Sequence, residues 1–73
     1  MTKKDYVKFA AVFKEALEKA EDVSGTETQE IVDRIVLECT KIMHYDNPAF
    51  RPYQFLEACG YSKVAAGQMS SRI

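Results

Sequence analysis

Apolar residues recur at intervals of three and four along the start of the chain: Tyr6, Phe9, Ala10, Phe13, Ala16, Leu17 and Ala20. At about 3.6 residues per turn this spacing gathers them on one helical face, with Lys4, Lys8, Glu15, Glu18 and Lys19 on much of the remainder. Thr2 and Asp5 have the spacing of a capping box in which Asp replaces the usual Glu, so a helix is expected over residues 3–21. The segment "DVSGTE" breaks it, with Ser24 and Gly25 as turn residues, and Thr26 with Gln29 repeats the capping-box spacing. "EIVDRIVLECTKIMHY" then places Ile31, Ile35, Cys39 and Ile42 on one stripe, widened by Val32, Val36 and Met43. Its β-branched residues favour strand, but length and spacing decide for a helix over 27–45.

Asn47-Pro48 ends that helix, because the residue before a proline is pushed out of the helical region and proline cannot continue the hydrogen-bond ladder. Arg51-Pro52 opens a third helix over 52–59, with Phe55, Leu56 and Cys59 facing inward and Gly60 as a left-handed cap. Tyr61 is placed to fold back on its last turn. "SKVAAGQMSSRI" shows small residues and no periodicity, and reads as a flexible C-terminal tail over 62–73. The expected fold is therefore all-α: a domain over 1–61 with a long antiparallel helix pair and a short third helix across one end. Its expected core is Phe9, Phe13, Leu17, Ile31, Ile35, Cys39, Ile42, Phe50, Phe55 and Leu56.

Size constrains this core. A chain of 73 residues forms one domain and buries only about 60% of the surface its unfolded form exposes. Burying all ten core residues in one small copy is difficult, so a homodimer is expected, with Val7, Val12, Val36 and Leu37 supplying apolar surface off the main stripes.

The net charge of −1 gives no global basic field, yet the charge is unevenly placed. Residues 1–14 carry four lysines against Asp5; residues 15–33 carry seven acids against Lys19; the remainder carries five bases against three acids. The first helix thus has lysines at its N-terminal end and acids at its C-terminal end, opposed to the helix dipole, and packing must hold it. The acids Glu15, Glu18, Glu21, Asp22, Glu27, Glu30 and Asp33 form a candidate partner-binding patch.

Candidate chemistry is sparse. His44 is the one histidine, and Cys39 stands five residues before it, about 140° away around the helix, so the two diverge. Cys39, Cys59 and His44 have no C-x-x-C pair and lack a fourth ligand for a metal. The pairs Glu15/Glu18 and Glu27/Glu30 are ordinary for charged helix surfaces. No catalytic, cofactor or metal residues are expected, and no small-molecule substrate is evident. The chain shows no secretory signal and no apolar run long enough to span a membrane, which with two dispersed cysteines points to the cytoplasm and reduced thiols. Three short helices are the minimum for a helix-turn-helix, but the third offers only Gln54 and Glu57, and Lys63 and Arg72 are the best remaining support for DNA contact. A small nucleic-acid-binding regulator is therefore the alternative to a protein that works through protein–protein contact.

Asn47-Pro48, Phe50, Phe55-Leu56 and Ala58-Cys59-Gly60 resemble, in type and spacing, the signature of small uncharacterised accessory proteins of tailed bacteriophages. Those chains often read N-P-x-F, four residues, then F-L-x-A-C-G, after a start similar to "TKKDYVKFAAVF". The resemblance covers the beginning and the last third of the expected domain. It implies a phage or prophage accessory protein and no known activity; together with the acidic patch and the sparse chemistry it makes a host protein the expected partner. Such proteins commonly carry an acidic residue after N-P-x-F, a natural helix cap, where this chain has Arg51 and Pro52.

Overall fold

The computed structural model describes residues 1–22 and 26–73, which form four helices: α1 (Lys3–Asp22), α2 (Thr26–Asp46), α3 (Pro52–Ala58) and α4 (Lys63–Ser70). The fold is all-α, and no strand occurs among the described residues. The three helices expected from the spacing fall within one residue of their expected ends. The turn expected at Ser24 and Gly25 lies outside the described residues.

α1 starts at the expected box. Asp5 accepts from the Thr2 backbone N–H at 2.9 Å and from the Thr2 hydroxyl at 3.2 Å. These bonds, the backbone one foremost, hold the Asp5 carboxyl below the usual carboxylate range. The second box closes differently: Gln29 donates its side-chain amide to Asp33 at 3.1 Å.

The corner after α2 is built by Asn47. Its N–H bonds back to Met43 O at 3.0 Å, its side-chain oxygen accepts Ala49 N–H at 3.1 Å, and its carbonyl accepts Phe50 N–H at 2.9 Å. The turn drives Phe50 into the core, with its ring 4.6 Å from that of Tyr6 and 5.4 Å from that of Phe55. Arg51 then occupies the N-cap in extended conformation without a side-chain cap bond, and Pro52 sits in the first turn, where its missing N–H costs nothing. At the other end Tyr61 N–H bonds to Leu56 O at 3.2 Å and Gly60 N–H to Glu57 O at 2.9 Å, the paired bonds of a Schellman cap, with Gly60 at φ +105°.

The flexible tail is the first correction. Residues 63–70 form α4, because Ser62 caps it by accepting Ala65 N–H at 3.1 Å and because Ala66 is fully buried. α4 packs on α3 through small side chains, and a Cβ on Gly67 would stand at an ordinary contact distance of 3.9 Å from the Tyr53 ring.

The second correction concerns the core, which consists of Ala10, Leu17, Val36, Met43, Phe50, Phe55, Leu56, Cys59 and Ala66, with Tyr6, Phe13, Val32, Tyr61 and Met69 packed against it. Leu17, Phe50, Phe55 and Leu56 lie where expected; Cys39 is half-buried. Phe9, Ile31, Ile35 and Ile42 are exposed, while Val36, expected at the surface, is fully buried and Leu37 half-buried. α2 is thus turned by about one residue, roughly 100°, from the expected register. That side of α2 is the one turned toward α1 and α3, and Leu37 and Asp33 edge an open recess shared with Tyr61, Ala65 and Met69. Thr40 tolerates complete burial on this side because its hydroxyl donates to Val36 O at 2.6 Å.

Candidate interaction face

α1 and α2 run antiparallel, and their register is marked by the Asn47 side chain, which donates to the Tyr6 hydroxyl at 3.4 Å. α3 and α4 pack on one side of this pair. Gly60 lies against Lys14, and the Phe55 ring meets Phe13 edge-on at 6.1 Å. Among the described residues, no helix packs on the other side of the pair.

Helical geometry places Ile31, Ile35 and Ile42 within about 40° of one another on α2, and Phe9, Val12 and Ala16 within about 60° on α1. Both groups are turned by roughly 90° from the residues that face the core. Their exposure is high for large apolar side chains: Phe9 44%, Val12 61%, Ile31 61%, Ile35 50% and Ile42 68%. Phe9 is also the outer end of a run of aromatic contacts, 6.3 Å from Phe13, that continues through Phe55 to Phe50 and Tyr6. The face is therefore rigidly connected to the core. Lys8, Glu15 and Lys19 border it on α1, and Arg34, Glu38 and Tyr45 border it on α2, all exposed. Within the chain Lys19 pairs with Glu15 at 3.2 Å and Arg34 with Glu38 at 4.0 Å, both one helical turn apart.

The expected acidic patch is divided by the fold. Asp33 is engaged internally, accepting the Tyr61 hydroxyl at 2.6 Å and the Gln29 amide. Glu18 and Glu21 edge a recess floored by Leu17 and Cys59, whereas Glu27 and Glu30 flank Ile31 and Arg34 on α2. Glu15 is held by Lys19 at the border of the apolar face, and Asp22 is exposed at the end of α1.

Cys59 is fully buried, and burial pushes its thiol up to about 12, far from a reactive thiolate. Burial, the hydrogen bond to Asp33 and its charge raise the Tyr61 hydroxyl well above the usual phenol range. His44 is half-buried, with Nδ1 3.4 Å from Phe50 O. Among the described residues no group of three or more His, Cys, Asp or Glu could hold a metal ion. No helix of the described residues is long and apolar enough to cross a membrane. Lys63 opens α4 and Arg72 follows it, on a different element from Lys3, Lys4 and Lys8. A second concavity lies between α1 and the corner, a cleft of about 420 Å³ with Tyr6, Val7, Phe50 and Phe55 in its walls and Lys3 and Arg51 among its lining.

Comparison with protein-family models, with curated proteins and with solved structures finds no match to this chain.

Of the residues that make the apolar face, spacing alone places Phe9, Ile31, Ile35 and Ile42 in the core and leaves Val12 at the surface, where the structure has it. A signal for the face existed: Ile31, Val32, Ile35, Val36, Leu37, Cys39, Ile42 and Met43 occupy more of the α2 circumference than neighbouring helices of so small a domain can bury.

Proposed function

We propose that the chain is a non-enzymatic accessory protein of phage type that acts through protein–protein contact in the bacterial cytoplasm and modulates a host protein. The observation that supports this reading is the uncovered apolar face of α1 and α2, with five large apolar side chains between 44% and 68% exposed on a domain of 73 residues. Contiguous exposed apolar surface of this kind marks interaction sites. The resemblance of the N-P-A-F corner and the following F-L-E-A-C-G to phage accessory proteins supplies the setting.

Expression of the tagged protein in a bacterial host tests the proposal, with growth and crosslinked partners as readouts. Phe9→Asp combined with Ile42→Asp alters only exposed positions, and it is expected to abolish both the growth effect and the crosslinks while helicity persists. An effect that survives this variant but is lost in His44→Ala at unchanged helicity would instead indicate chemistry.

A further inference from the structure

We infer that the apolar face is closed by a second copy of this chain, with α1 packed antiparallel on α1 of the partner copy about a two-fold axis beside Val12. This rests on the interaction reading above and names its first partner. Two faces of the same chemistry meet in such an arrangement, and the charges at their border select its direction.

A two-fold axis crossing α1 beside Val12 brings residues at equal distances on either side of Val12 opposite one another. Asp5, seven residues before, meets Lys19 of the other copy, seven after; Lys8, four before, faces Ala16 of the other copy and stands one residue from Glu15, its charged neighbour across the axis. Each contact occurs twice, and both join opposite signs. Val12, Phe9 and Ala16 lie between them, and Ile42 meets its own symmetry mate on the neighbouring helix pair, where Glu38 opposite Asp46 is the like-charge contact of this arrangement, against two in the alternative. The inversion of charge along α1, unfavourable to the helix dipole, becomes favourable when two such helices run in opposite directions.

The other face-to-face symmetry has its axis along the helices and places α1 over α2 of the partner copy, in the register that Tyr6 and Asn47 set within the chain. Counting nine residues inward from each sets Glu15 against Glu38, and counting thirteen sets Lys19 against Arg34. Both contacts join like charges at the rim, which disfavours this pairing. The overlap is partial: α1 pairs over nearly its whole length, about 28 Å, and α2 over residues 36–46, about 16 Å, which at about 10 Å per helix gives roughly 450 Å² per copy, the size of a weak, concentration-dependent interface.

The test is the mass of the purified chain by sedimentation equilibrium from micromolar to millimolar concentration. The 8.3 kDa chain is expected to double in mass, and Val12→Glu to remain at the single-chain mass with unchanged helicity, since Val12 is 61% exposed. Lys8→Glu and Glu15→Lys are each expected to weaken self-association by about tenfold, equivalent to about 1.4 kcal/mol. Mixed together, these two variants are expected to form a heterodimer preferred over either homodimer, because every crossing of residues 8 and 15 then joins opposite signs. A single-chain mass at millimolar concentration overturns the proposal, as does a dimer indifferent to Val12→Glu, or one in which the mixed variants show no preference. A monomer whose host crosslinks still depend on Phe9 and Ile42 would retire the second copy and keep the interaction reading; a monomer without such crosslinks would retire both.

Discussion

At Gly60 the backbone is in the left-handed region at φ +105°, where any side chain crowds its own carbonyl, whereas Gly67 lies inside α4 with ordinary contact distance around it. The same substitution should therefore have opposite signs at the two positions. Gly60→Ala is expected to destabilise by about 1–2 kcal/mol, and Gly67→Ala to stabilise by about 0.5–1 kcal/mol, both read from urea midpoints. The cap at Gly60 was legible in the sequence, because a glycine directly after an apolar helical run has one dominant use. Asp33 was not: its partner Tyr61 is 28 residues away, so nothing local distinguished it from the solvated acids around it. Tyr61→Phe is expected to cost about 1 kcal/mol in the same assay, the usual net worth of an intramolecular hydrogen bond.

Among the elements, α1, α2 and α3 were readable because they rest on periodic large apolar residues and on proline and glycine at their ends. α4 was not, because it docks through Ala66 and presents Gly67 to α3, side chains too small to produce a visible pattern. The α2 register was not readable either, since spacing could not tell the side that meets α1 and α3 from the isoleucine stripe. Two facing helices alone left both stripes equally plausible. The weight carried by α4 can be measured by thiol labelling. In the full chain Cys39, half-buried, should label first and Cys59 only as fast as the protein opens. In a chain ending at Tyr61 the rates should converge and cooperative unfolding should be lost or strongly weakened.

For the whole molecule, the neutral Cys59 thiol and Tyr61 hydroxyl tie stability to alkaline pH. Both groups release a proton less readily in the folded chain than in the unfolded one, so at high pH the unfolded state binds fewer protons and stability falls. The contribution is intact below pH 9.0, the ordinary thiol value, and that of Cys59 is lost as pH rises to about 12; Tyr61 adds to the loss above 10.0. Urea midpoints at pH 8 and pH 11 should differ, and Cys59→Ala with Tyr61→Phe should flatten the difference. The position of α4 in the chain also orders events during synthesis. α1 and α2 are complete once Asp46 has been made, yet Ala66, which fills the centre of the core, is twenty residues later. At about 5–20 residues per second that leaves roughly one to four seconds before Ala66 is made, during the first part of which, until α3 ends at Ala58, the helix pair has apolar surface open on both sides. Nascent copies on neighbouring ribosomes of one message therefore have time to meet through the isoleucine face before the other face is sealed.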